Sequence, residues 1–85
     1  MYKIVVDKHF ERAYKKLPEN VKKSFKDLII IIKENPFDMT LKTHMLQGNK
    51  RHIFSLSVTY KIRALFIIEN STVVFTDIGR HDDLY

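Results

Sequence analysis

Arg80, His81 and Tyr85 fall within the last six residues of an 85-residue sequence. Histidine titrates near neutral pH, arginine is a permanent cation, and tyrosine can donate, accept or stack. The three follow a stretch, Thr72 to Ile78, whose β-branched and aromatic residues predict a strand that Gly79 ends. A well-anchored strand delivering such groups is one way to build a site. The opposing reading is a polar segment that frays, as termini commonly do.

A second concentration of reactive types lies upstream. From Met39 to Ile68 there is no Asp or Glu, yet Lys42, Lys50, Arg51, Lys61, Arg63, His44 and His52 are all present. Strands disfavour acids, which accounts for the missing carboxylates but not for the five retained bases. With a formal charge of +5, the stretch points to a polyanionic partner. Nucleic acid comes first, then an acidic protein, with a membrane surface last.

The chemistry these residues can perform is limited in kind. The histidines at 9, 44, 52 and 81 form no HxH or HxxxH pair, and there is no cysteine, so neither a metal site nor another cofactor is expected. Two glycines make no phosphate-binding loop. Asp82 and Asp83 are the only adjacent carboxylates, and sequence neighbours usually point apart. What fits is acid–base chemistry on a phosphodiester that carries its own nucleophile, the 2′-hydroxyl of RNA. Such cleavage needs a base, an acid for the 5′-oxygen and cations for the transition-state charge. His81, Tyr85, His44, Lys50, Arg51 and Arg63 supply those types, and Tyr85 could stack on an unpaired base.

The elements that must position these groups can be read in order. Residues 2–6 predict a short strand, and Asp7 is a good N-cap. Phe10, Ala13, Tyr14 and Leu17 recur at helical spacing. Pro18 separates that helix from a second, Glu19 to Glu34, whose stripe is Val21, Phe25, Leu28, Ile29 and Ile32. Ile30 and Ile31 widen the stripe, so cover on more than one side is expected. Asn35-Pro36 stops it. Residues 37–50 read as a loop with room for one helical turn. Strands follow at about 51–58, 60–68 and 72–78, joined by short links. In the middle strand, alternation sends Tyr60, Ile62, Ala64, Phe66 and Ile68 towards the helices and Lys61, Arg63, Leu65 and Ile67 to the other face. Arg63 is then held rigidly mid-strand, which favours an anion-binding role over a solubilising one. The fold class is α+β, a single domain over residues 1–85. It has a four-stranded sheet, antiparallel but mixed by the N-terminal strand, with a two-helix hairpin on one face, in the order β-α-α-β-β-β. The N-terminal stretch has too short an apolar run for a signal peptide, and no run spans a membrane. A cytoplasmic location is expected.

The segment carrying Leu46, Gly48 and Ser55 to Phe66, together with the ending Asp77 to Tyr85, resembles the RelE/ParE superfamily of bacterial type II toxins. The resemblance extends over essentially the whole chain, and the ending is most similar to the RelE/StbE and YafQ-like branch. It implies a toxin that binds the ribosomal A site and cuts translated mRNA. It also implies a cognate antitoxin that wraps it, and contact with operator DNA only through that complex. By the same resemblance His81 and Tyr85 take the place of a site histidine and an aromatic residue four positions later. Arg63 takes that of the strand arginine, and His44 that of a loop histidine. Lys42, Lys50, Arg51, His52, Lys61 and Arg80 are the expected RNA-binding groups. The further histidine and aspartate of YafQ-like toxins have no counterpart in SLSVTYK, so His44 and then His52 are the candidates for general base. Related ParE branches poison DNA gyrase without cutting RNA, and a degenerate toxin that only binds antitoxin and DNA is a third reading.

Overall fold

The computed structural model describes residues 1–48 and 52–84. Lys50, Arg51 and Tyr85 lie outside the described residues. The element order is β1 (Lys3–Val6), α1 (Lys8–Lys15), α2 (Glu19–Glu34), a 3-10 turn at Met39–Leu41, β2 (His44–Met45), β3 (Phe54–Ser57), β4 (Ile62–Glu69), β5 (Thr72–Arg80) and α3 (His81–Leu84).

Local signals account for the helices. The Asp7 carboxylate accepts a hydrogen bond from the Phe10 amide at 2.8 Å, satisfying one of the donors that a helix start leaves unpaired. Pro18 takes an extended conformation between α1 and α2. Val21, Phe25 and Ile32 are buried and Leu28, Ile29 and Ile31 pack against the core. Ile30 departs from expectation, being 74% exposed; the apolar arc of α2 is narrower than its sequence. Among the described residues no helix is long and apolar enough to cross a membrane.

The sheet has five strands in the order β1-β5-β4-β3-β2. β1 runs parallel to β5, and every other pairing is antiparallel. The fifth strand is β2, two residues inside the stretch read as a loop, pairing His44 with Ser55 and Met45 with Phe54. Two residues are too few for periodicity to register. The expected helical turn in that stretch is present at Met39–Leu41. Gly79 does not end β5, which pairs through to Arg80. Tyr60 belongs to the β3–β4 turn and is 98% exposed, so it does not face the helices. The turn forms there because the Val58 and Thr59 amides both donate to the Ile62 carbonyl.

Between helices and sheet lies an aromatic core. Phe10, Phe25 and Phe75 stand at mutual centroid separations of 5.1 to 5.5 Å, and Phe66 lies 5.6 Å from Phe75. The opposite face is not bare. Leu46, Leu65 and Leu84 form a second, smaller buried cluster with Ile53 against it. α3 is therefore docked rather than frayed.

Truncating Phe25 to alanine is expected to lower stability by about 3–5 kcal/mol, through a cavity bordered by the Phe10, Tyr14 and Phe75 rings; a smaller loss in denaturant unfolding contradicts this packing. A second expectation concerns the turn before β2. Asp38 accepts from the Thr40 amide and hydroxyl, and the Thr40 hydroxyl bond, followed by the amide bond, holds its carboxyl below the ordinary aspartate value. A depressed carboxylate stabilises the fold above its unfolded pKa, and that contribution disappears as pH falls through the folded value. The Thr40 amide resonance should therefore titrate below the ordinary aspartate range, and a midpoint at or above that range contradicts the bond.

Candidate functional site

β4 carries Arg63 on the face turned away from α1 and α2. Its register partners are Ser57 on β3 and Gly79 on β5. The guanidinium lies back across the strands towards β2. Its Nε donates to Ser55 Oγ at 2.6 Å, and its Nη2 donates to the Lys42 carbonyl at 2.9 Å and the Ser55 carbonyl at 3.3 Å. Nη2 also lies 3.4 Å from His44 Nδ1. Arginine has no acceptor, so the tautomer that fits carries its proton on Nε2 and leaves Nδ1 as the basic nitrogen. At that distance the contact is long and weak.

None of these partners carries a negative charge. Among the described residues no carboxylate pairs with Arg63, so its orientation is fixed while its charge is uncompensated. The backbone cooperates. Lys42 sits in the left-handed region with φ 52°, just beyond the turn capped by Asp38, and this aims its carbonyl at the guanidinium. Ser55 is completely buried.

β5 delivers the second group of residues. Gly79 faces Arg63 in register and has no side chain. A Cβ built there would stand 3.7 Å from Leu84 Cδ2, so α3 packs close over this end of the sheet. Lys61, Arg80 and His81 line one cavity of about 230 Å³ with Tyr60 and Asp82. His81 Nδ1 lies 3.7 Å from Asp82 Oδ1.

The fold thus brings together Arg63, His44 and the Lys42 backbone on one side, and Lys61, Arg80 and His81 on the other. The Lys42 group that takes part is its carbonyl and not its ammonium. His52 is exposed and, among the described residues, makes no hydrogen bond to the Arg63 cluster. Lys50, Arg51 and Tyr85 fall outside the described residues. Ser55 was missed by reasoning from residue type. Its signal was positional: in Ser55-Leu56-Ser57, alternation places both hydroxyls on the face that carries Arg63.

A family model described as the ParE-like toxin of type II bacterial toxin-antitoxin systems matches residues 4–85. No curated protein matches the sequence significantly. Solved structures match the fold throughout. YafQ from E. coli strain BL21(DE3) superposes with a TM-score of 0.80 at 18% identity, over 100% of this chain and 99% of that one. The RelBE2 toxin–antitoxin complex from Mycobacterium tuberculosis gives 0.79 at 18% identity, over 94% and 98%. The E. coli DinJ–YafQ complex gives 0.72 at 19%, over 100% and 99%. With its five-stranded mixed sheet, its helical hairpin and a family match over nearly its full length, the chain belongs to the ParE-like toxins of type II bacterial toxin–antitoxin systems.

Proposed function

We propose that the chain is a ribosome-dependent endoribonuclease that cuts translated mRNA, with the RNA 2′-hydroxyl as nucleophile. One observation carries this reading: Arg63, held on a central strand without a carboxylate among its described partners, offers its guanidinium beside Nδ1 of His44. A phosphate seated on Arg63 brings its neighbouring 2′-hydroxyl towards His44 Nδ1. That nitrogen takes the proton as the 2′-oxygen attacks phosphorus. The P–O5′ bond breaks, and His81 gives a proton to the departing 5′-oxygen. The products are a 2′,3′-cyclic phosphate and a 5′-hydroxyl. Arg63 binds the equatorial oxygens as charge develops on them, and its planar fork suits a phosphate better than a lysine would. Lys50, Arg51, His52, Lys61 and Arg80 complete the RNA-binding surface. Tyr85 is assigned to base stacking, by analogy with the family ending.

Family membership supports a cognate antitoxin as the protein partner, as do the RelBE2 and DinJ–YafQ neighbours, which are toxin–antitoxin complexes. In this reading operator DNA is met only through that complex, in the cytoplasm.

The test is a cell-free translation reaction with mapping of new 5′ ends on the message. Ends that appear only while ribosomes translate support the proposal. Intact message with continued translation overturns it in favour of gyrase poisoning or a repressor role. Arg63→Ala should slow cleavage about 10²–10³-fold with little loss of fold. Ser55→Ala should slow it less, and Arg63→Lys should not restore the full rate, because the charge remains but the fork is lost. Undiminished cleavage by Arg63→Ala removes the assignment. Binding to ribosomes should weaken steeply with salt, as counterion release requires; a salt-independent affinity contradicts the basic surface.

A further inference from the structure

The β3–β4 turn displays Tyr60 with almost its whole surface in solvent, 98% exposed. An aromatic ring so placed has no part in the core. The turn beneath it is tightly held. The Val58 and Thr59 amides donate to the Ile62 carbonyl at 2.9 and 3.1 Å. The Ile62 amide donates to Thr59 Oγ1 at 3.2 Å, and Ser57 Oγ donates to the Thr59 carbonyl at 3.0 Å. Tyr60 is a ring on a rigid mount.

Beside it opens a cavity of about 610 Å³, within the usual range of small-ligand sites, about 300–1,000 Å³. Leu17, Pro18, Val21 and Ile62 give it an apolar lining. Lys61 and Arg80 line it too, as does Asp83. Both cations also line the smaller cavity with His81, and among the described residues neither forms an ion pair. The nearby Asp82 carboxylate lies against His81 instead.

From this arrangement we infer that the Tyr60 cavity is a nucleotide subsite, which holds one unpaired RNA base next to the scissile phosphate. The base stacks on Tyr60, Lys61 and Arg80 bind its flanking phosphate, and Asp83 accepts from the amino group of a base that carries one. The inference rests on the RNA-cleaving reading above and extends it. Continuity with the site favours RNA as the occupant. Tyr60, Lys61 and Arg80 line both this cavity and the smaller one that holds His81, so it adjoins the proposed general acid. Stacking on a mounted aromatic is how proteins grip single-stranded nucleic acid.

The test is a titration of the isotope-labelled full chain with a mixed-sequence single-stranded RNA hexamer, followed by amide shifts, beside cleavage mapping in cell-free translation. Shifts are expected at Tyr60, Ile62, Gly79 and Arg80. Tyr60→Ala, which alters an exposed side chain, should weaken hexamer binding roughly 5- to 150-fold, the loss of one base–aromatic stack. It should also flatten any base preference at the cut. If wild-type protein cuts message and Tyr60→Ala cuts the same positions at the same rate, the subsite is wrong and the cleavage reading stands. If the wild type leaves message intact but binds the hexamer through Tyr60, the subsite stands and the cleavage reading fails. Shifts at these residues with a partner protein, and none with RNA, make the cavity a protein-docking surface and overturn the inference.

Discussion

The pairing of β4 with β5 governs both faces of this molecule. Eight residue pairs join the strands, with one irregularity between Leu65 and Phe66. Leu65 pairs with Asp77 and Phe66 with Phe75, so Thr76 is an extra residue on β5. A bulge of this kind resets the alternation of a strand and sharpens its twist. Here it lets Val73, Phe75 and Ile78 all enter the core, although strict alternation would have buried Asp77 and exposed Ile78. The same reset brings Gly79 opposite Arg63 and Arg80 opposite Ile62. Core packing and site geometry are therefore set by one irregularity.

Much of this was legible in advance where a repeated physical signal existed. The second helix matches its expected bounds, Glu19 to Glu34, because a proline at its start, an apolar stripe and an Asn-Pro stop all agree. The outward placement of Arg63 follows from simple alternation along β4. The departures have physical causes. β2 is too short to carry a period. Gly79 lies within a strand because pairing on β4 outweighs its low β-propensity. Alternation carried back before the start of β4 predicts Tyr60 on the helix face, but the chain is still turning there. Ser55 gives no signal by residue type, because a serine is weak chemistry alone and its value here lies in holding an arginine by its Nε.

The acid-free stretch from Met39 to Ile68 takes on a clearer meaning in three dimensions. Orienting an arginine usually calls for a carboxylate, which also cancels its charge. Here a serine hydroxyl, two carbonyls and an imidazole hold the guanidinium. The geometry is defined and the positive potential is retained. A single Asp or Glu among these neighbours would compete with any phosphate for the same fork.

The two cores of the molecule are unequal. One is a large aromatic assembly between sheet and helical hairpin, and the other is the small Leu46–Leu65–Leu84 cluster that seats α3. Small clusters with few buried apolar side chains open at lower free energy than the body of a domain. α3 begins at His81, so this histidine is held in place by the less stable of the two. On heating, the arrangement of His81 relative to Arg63 should dissolve while the aromatic core is still intact. The molecule then has two thermal limits, a lower one for the assembled site and a higher one for the fold.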